Sequence, residues 1–264
     1  CLVNSVEADF VLDLAGQTAI LPEYVEKFNI DTTEKAKIPY DCFQYKNIPT
    51  FRSVSLNSIS FGNNAFANGL GAFVLKDEPY LRELGVAGIV GGAIFQRVVL
   101  TIDSQRKKLT MSQPYRPSYM KLTNRANAQL LQGVGMECPI TIDGVTFSCM
   151  LDTWNKGLVE LNATDFARLT GTAGKNVQVY AGYGKTLVMV PAKVVGQCDF
   201  VRMAFKDVSI AENKSLIRSV IGTEILKHGL LSVDFLRQTV YFQSFDEVTV
   251  KDDVIENYVT VESG

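Results

Sequence analysis

Short apolar runs, broken by Gly, Pro, Asn and Asp, recur along the whole chain and predict strands joined by turns. Two of these runs share one plan. FVLDLAGQTAIL at 10–21 and FSCMLDTWNKGLVEL at 147–161 each carry an apolar strand into an Asp, turn, and resume as an apolar run. Each is followed by a second shared signature: IVGGAIFQRVVLTIDSQRKKLTM at 89–111 and VIGTEILKHGLLSVDFLRQTVYF at 220–242. Gly91 aligns with Gly222 and Asp103 with Asp234, both at a separation of 131 residues, whereas Asp13 and Asp152 lie 139 apart. The difference is an ordinary loop insertion. The chain therefore reads as two related halves, each presenting one carboxylate, and one site at their junction.

In the first half Pro22 suits the opening of a short helix reaching residue 28. Residues 37–61 are strand-like with breaks at Pro39 and Pro49, and 56–75 predicts short strands with turns at 62–64 and at Asn68 and Gly69. A brief helix at 93–96 leads into a closing hairpin of VVLTID and KKLTM. In the second half CPITIDGVTFSCMLD predicts a hairpin turning at Asp143 and Gly144. Asn162 caps a short helix, with Asp165 at its third position and Gly171 just past its end. Residues 177–210 alternate as strands. The organisation expected is a first lobe at 1–114, a connector at 115–135 that includes the polar run KLTNRANAQ, and a second lobe at 136–264.

Not every carboxylate at a strand end invites chemistry. Asp103 and Asp234 each precede a hairpin turn, where Asp bonds its own backbone, so they are assigned to turn formation. Asp13 and Asp152 end apolar strands at the edge of a core, where a carboxylate is costly unless it is hydrogen-bonded or used.

Composition narrows the function. With 47% hydrophobic residues, each half has material for a core, and 20 glycines favour turns. Charge is nearly balanced at 26 basic against 28 acidic residues, and no long basic run offers a footprint for nucleic acid. No apolar stretch is long enough to span a membrane. The five cysteines, Cys1, Cys42, Cys138, Cys149 and Cys198, make neither a CxxC nor a metal pair, and Cys149 reads as a small buried thiol. The single histidine, His228, leaves no room for a histidine-based triad or a His-rich metal site. It fits the end of a short helix before Gly229. Neither GNNAFANGLG at 62–71 nor AGYGKT at 181–186 has phosphate-loop spacing, and no GxSxG or HExxH occurs. The sites NAT at 162–164 and NKS at 213–215 match the glycosylation pattern, which chance often supplies. Cys1 suits a lipid-bearing residue of an exported protein and equally a cut in the chain; position does not separate the two.

The apolar strand into Asp, the glycine-centred GIVGGAIFQ and VIGTEILK segments and the VVLTIDSQRKKLTM hairpin together resemble the retropepsin-like and pepsin-like aspartic peptidases, in particular the two-lobed bacterial members. The resemblance covers nearly the whole chain. It implies an all-β, bilobal fold of two homologous β-barrel lobes with short helices, working as a monomer without metal or cofactor. It implies an extended peptide held in the cleft, Asp13 and Asp152 as the catalytic pair, and a hairpin cover at 37–50 with Tyr40, Phe43 and Tyr45 facing the ligand. The turns depart from the family's Asp-Thr-Gly. The first is Asp13-Leu14-Ala15-Gly16 and the second Asp152-Thr153-Trp154-Asn155. Thr153 keeps the hydroxyl that bonds across the lobe interface in the family, and Leu14 has lost it. Ala15 and Trp154 stand in place of the glycine, and Gly16 offers a substitute one residue later. Ala15, Gly16, Thr153 and Trp154 would line the substrate site. Trp154 reads either as a lobe-interface ring or as a cleft wall that stacks on a ligand. Two functions stay open: a peptide-bond hydrolase using an Asp pair and water, impaired or not, and a protein that binds peptide in the same cleft without cleaving it.

Overall fold

The computed structural model describes residues 1–33, 46, 50–62, 65–76, 78–112, 116–131, 135–181, 186–247 and 258–262. The two Asp strands pair in the same way. Phe10–Asp13 runs parallel to Gly88–Gly91, with Asp13 opposite Gly91. Val145–Leu151 runs parallel to Val220–Ile221, with Leu151 opposite Ile221. The strand resuming after each turn pairs antiparallel to that same partner and parallel to a long strand. In the first half Ala19–Ile20 lies between Gly88–Gly91 and Ala65–Val74. In the second half Val159–Leu161 lies between Val220–Ile221 and Met203–Glu212. The fold is thus β-rich with a few short helices, and the repeat in the sequence is a repeat in hydrogen bonding.

Residues 2–91 supply a seven-stranded sheet and residues 129–221 an eight-stranded one. A six-stranded sheet joins the halves. In it Val99–Asp103 pairs antiparallel with Gly229–Asp234, and Thr101 faces Ser232 with their hydroxyls 2.5 Å apart. These two residues are themselves 131 positions apart, the offset of the repeat. The stretch expected to be a connector adds the strand Arg125–Asn127 to this sheet, and Tyr258–Glu262 pairs with Lys108–Ser112 on its far edge.

Local chemistry accounts for the joints. Asp143 and Gly144 both have positive φ, as a two-residue hairpin turn requires. The Asn162 side chain accepts the Asp165 amide at 2.9 Å and caps Ala163–Arg168, a contact worth about 1 kcal/mol; the helix closes at Leu169, before Gly171. Asp103 and Asp234 take the turn role in duplicate: each accepts the amide and the guanidinium of the Arg three residues on, at 2.9–3.1 Å. Pro22 heads the helix Glu23–Lys27, and Gly92–Phe95 and Thr223–Lys227 are short 3-10 helices, with His228 at the end of the second. One expected turn is absent. Asn68 and Gly69 lie inside the strand Ala65–Val74, paired along its length with Arg52–Phe61. Gly69 has φ of 64° and sits where the pairing skips a step, so the signal of a turn residue marks an irregularity in a continuous strand.

The core is continuous across the halves, from Val3, Ile20, Val54 and Leu100 to Phe147, Phe200, Ile210 and Phe242. Among the described residues no helix is long and apolar enough to cross a membrane.

Candidate active site

Asp13 and Asp152 sit at the ends of their strands, both buried, at 7% and 1% exposure. Two bonds recur in their turns. Ala15 donates its amide to Asp13 Oδ1 at 3.0 Å, and Trp154 donates its amide to Asp152 Oδ1 at 2.9 Å. The Gly16 amide reaches the Asp13 carbonyl at 3.1 Å, and the Asn155 amide reaches the Asp152 carbonyl at 3.2 Å. A Cβ at the second position after each Asp therefore leaves the amide free to bind the carboxylate. Charge-assisted bonds of this kind are the strong ones and fix the carboxylates in orientation.

The close approach falls at Gly16. A Cβ added there would stand 2.4 Å from Asp13 Oδ2 and 2.7 Å from its carboxyl carbon. This turn has no room for a side chain at Gly16. The repeated glycines press on the same turns from behind. A Cβ on Gly91 would meet the Gly16 carbonyl at 2.3 Å, and one on Gly222 the Gly157 carbonyl at 2.3 Å and the Asn155 carbonyl at 2.6 Å.

The two turns touch. Thr153 Oγ1 accepts the Leu14 amide at 3.0 Å and donates to the Leu12 carbonyl at 2.8 Å. The residue after one Asp is thereby bonded to both neighbours of the other. Leu14 cannot return the contact and is buried in the main core instead. Ala15 is fully buried among Met150, Leu216 and Val220 of the second half. Trp154 also crosses over. It packs on the first-half cluster that includes Leu21, Phe73, Leu75 and Leu81, and meets Tyr80 edge to face at 5.9 Å between ring centres. Trp154 as a whole residue is half-buried.

Tyr40, Phe43 and Tyr45 lie outside the described residues. Lys46, within the stretch expected to cover the cleft, bonds to the second half: its amide reaches the Ser215 carbonyl at 2.8 Å and its Nζ the Lys214 carbonyl at 2.9 Å.

Sequence reasoning passed over Glu160. It pairs with Val220, and its counterpart in the first half is the small Ala19, paired with Ile89. Glu160 is 4% exposed and takes a 2.7 Å hydrogen bond from Asn213 Nδ2. Burial pushes its carboxyl up to about 7; the hydrogen bond from Asn213 and the nearby Asn155 side chain act against the rise, and the Asp152 charge adds to it. Asn155 is itself buried, with its Nδ2 beside Glu160 but without a well-aligned acceptor among the described residues. The signal was present as a lone Glu in the apolar run LVEL. Its partner Asn213 is 53 residues away and could not be read from spacing.

Among the described residues no group of three or more His, Cys, Asp and Glu side chains is placed to hold a metal ion. Cys138, Cys149 and Cys198 are free and buried, and burial raises all three thiols, Cys198 to about 12.

No family model matches the sequence, and no curated protein matches it. Solved structures give a distant likeness. A retropepsin-like aspartic protease from Rickettsia conorii is similar over 45% of this chain and 86% of its own, at 11% identity and a TM-score of 0.33. The crystal structure of edgp is similar over 89% of this chain and 87% of its own, at 9% identity and a TM-score of 0.40. The likeness to the aspartic-protease fold is weak and goes no further than this.

Proposed function

We propose that this chain is an aspartic endopeptidase in which Asp13 and Asp152 act as one pair on an extended peptide. The observation that carries the reading is the Thr153 hydroxyl, bonded to the Leu12 carbonyl and the Leu14 amide on either side of Asp13. It brings two buried, amide-bound carboxylate turns against each other. Lobes at 1–114 and 136–264, joined by 115–135 and related by a local twofold axis, would place the pair at the floor of a cleft. The facing of Thr101 and Ser232, equivalents under the repeat offset, supports such an axis.

In this reading the chemistry comes from two like charges held close together. Two adjacent carboxylates do not both ionise readily, so one proton is shared. The ionised member removes a proton from water, which attacks the peptide carbonyl, while the protonated member donates to the carbonyl oxygen. The amides of Ala15 and Trp154 keep the carboxylates aimed through the reaction. Thr153 and Trp154 are the proposed floor, with Ala15 and Gly16 buried beneath it, and the segment bearing Tyr40, Phe43 and Tyr45 is the proposed cover. The enzyme works as a monomer.

A second reading has its own observation. The Trp154 indole, two residues after Asp152, meets Tyr80 of the first half edge to face, and a large ring at this place in the turn favours peptide binding without turnover. A mixed peptide library incubated with wild type, Asp13→Asn and Asp152→Asn between about pH 3 and 7 separates the two. Cleavage lost in both variants supports the hydrolase. Retention of peptides with no cleavage by any form supports the binding protein. Cleavage surviving both changes removes Asp13 and Asp152 from the chemistry.

A further inference from the structure

The strand Thr186–Val190 is apolar where an ordinary surface strand is not. It pairs antiparallel with Val177–Ala181, and the two join no other strand among the described residues. A hairpin with one wet face alternates apolar and polar residues, because successive side chains point to opposite sides. Val177–Ala181 obeys, with Val177 and Val179 on one face and Gln178 and Tyr180 on the other. Residues 187–190 read Leu-Val-Met-Val and do not alternate. Val188 and Val190 lie opposite the buried Val179 and the half-buried Val177. Leu187 and Met189 lie opposite Tyr180 and Gln178, and are 49% and 61% exposed. Two large apolar side chains thus stand bare on one face of one strand.

The backbone beside them is open as well. The Tyr180 carbonyl turns away from its partner strand to accept Asn213 Nδ2 at 2.8 Å. Tyr180 and Leu187 are therefore a pair that exchanges no ladder bonds, and so, two residues along, are Gln178 and Met189. The N–H and C=O groups of Leu187 and Met189 then point outward, along an edge that no described strand covers. A bare apolar edge is a template for another strand, and charge, proline or a covering element normally blunts it. Within 186–190 there is neither a charged residue nor a proline.

We propose that the outer edge of Thr186–Val190 is a docking strand for an extended peptide segment with apolar residues at alternate positions. The peptide pairs its main chain with Leu187 and Met189 and lays every second side chain on theirs. Main-chain bonds then supply affinity and the alternate side chains supply specificity. Five residues of strand offer far less than the roughly 1,200 Å² that a stable protein pair buries, so the occupant is a short segment rather than a second copy. Asn213, which pins the hairpin at Tyr180, also holds Glu160 at 2.7 Å, on the strand that resumes after the Asp152 turn. The docking edge is the opposite edge of the hairpin from this fastening. It uses neither Asp13 nor Asp152, so the proposal holds for a hydrolase and for a binding protein alike.

Short fluorescent peptides, titrated by anisotropy against the full chain, test this. One carries Val and Leu at alternate positions among Ser and Thr. A second has the same composition in blocks, and a third repeats the first with N-methyl groups on alternate amides, in either phase. The first should bind, and the other two at least about tenfold more weakly, the scale of one or two lost hydrogen bonds. Met189→Pro removes an outward N–H and no ladder bond, which an edge strand tolerates, and should cost a similar factor. Leu187→Ser combined with Met189→Ser should do the same, while Leu236→Ser, at another exposed leucine, should change nothing. Amide exchange at Leu187 and Met189 should slow when the first peptide binds. No binding of that peptide, binding that ignores N-methylation, or binding that slows neither amide overturns the proposal, even if the Pro variant fails to fold. So does a dimer that Met189→Pro dissolves, since a second copy would then occupy the edge.

Discussion

Thr153 holds Leu14 across the junction of the two halves: its hydroxyl accepts the Leu14 amide at 3.0 Å while donating to the Leu12 carbonyl at 2.8 Å. Thr153→Val keeps the shape and removes both bonds, leaving a buried N–H and a buried C=O unpaired. The expected loss is about 2–3 kcal/mol in denaturant unfolding. Thr153→Ser should recover most of it. A Val variant as stable as wild type would mean that the bridge does not fasten the turns.

Gly16 is expected to tolerate no side chain. Its Cβ would fall on the Asp13 carboxylate, so Gly16→Ala must turn that carboxylate away or push the turn back. Activity should drop at least about 100-fold, the scale of a 1 Å misplacement. Gly196→Ala is the control, since its Cβ would meet only Asp143 Oδ1 at 3.4 Å. Equal activities in the two variants would argue that Asp13 is not held where it must act.

The Glu160 carboxyl gives stability a definite pH dependence. Its folded value is raised from 4.5 to about 7, so between these values the folded chain binds more protons than the unfolded one. Its contribution is full below about pH 4.5 and is lost as pH rises through about 7, a span on the order of 3 kcal/mol. Unfolding free energies of wild type and Glu160→Gln, measured from pH 4 to 8, should diverge over this window, with the wild type losing ground as pH rises. Parallel curves would contradict the buried acid.

The thiols offer a check on the core. Cys138, Cys149 and Cys198 are buried and raised by burial, and the thiolate is the reactive form. A thiol reagent at about pH 8 should modify them only after denaturation. Rapid labelling of any of the three in the native protein would mean that the sheets are packed differently.

Strand periodicity and the 131-residue offset made the Asp turns, the closing hairpins and the Asp103 and Asp234 turns legible, because each depends on neighbours close in sequence. Gly69 misled for the same reason. A glycine after asparagine announces a positive φ, and only the partner strand at 52–61 determines that the chain runs straight through. Glu160 was hidden because what makes it notable is contact with Asn213 and closeness to Asp152 in space. Trp154 was conspicuous, but its seat against Tyr80 and the first-half cluster depends on how the halves meet.

The account stands on Asp13 and Asp152 acting as one unit, and a double-mutant cycle on kcat/KM tests it most directly. Asp13→Asn, Asp152→Asn and the double variant should each lose nearly all peptide cleavage, with the double change costing little more than either single one. Losses that simply multiply, or cleavage that persists in the double variant, would contradict the shared site.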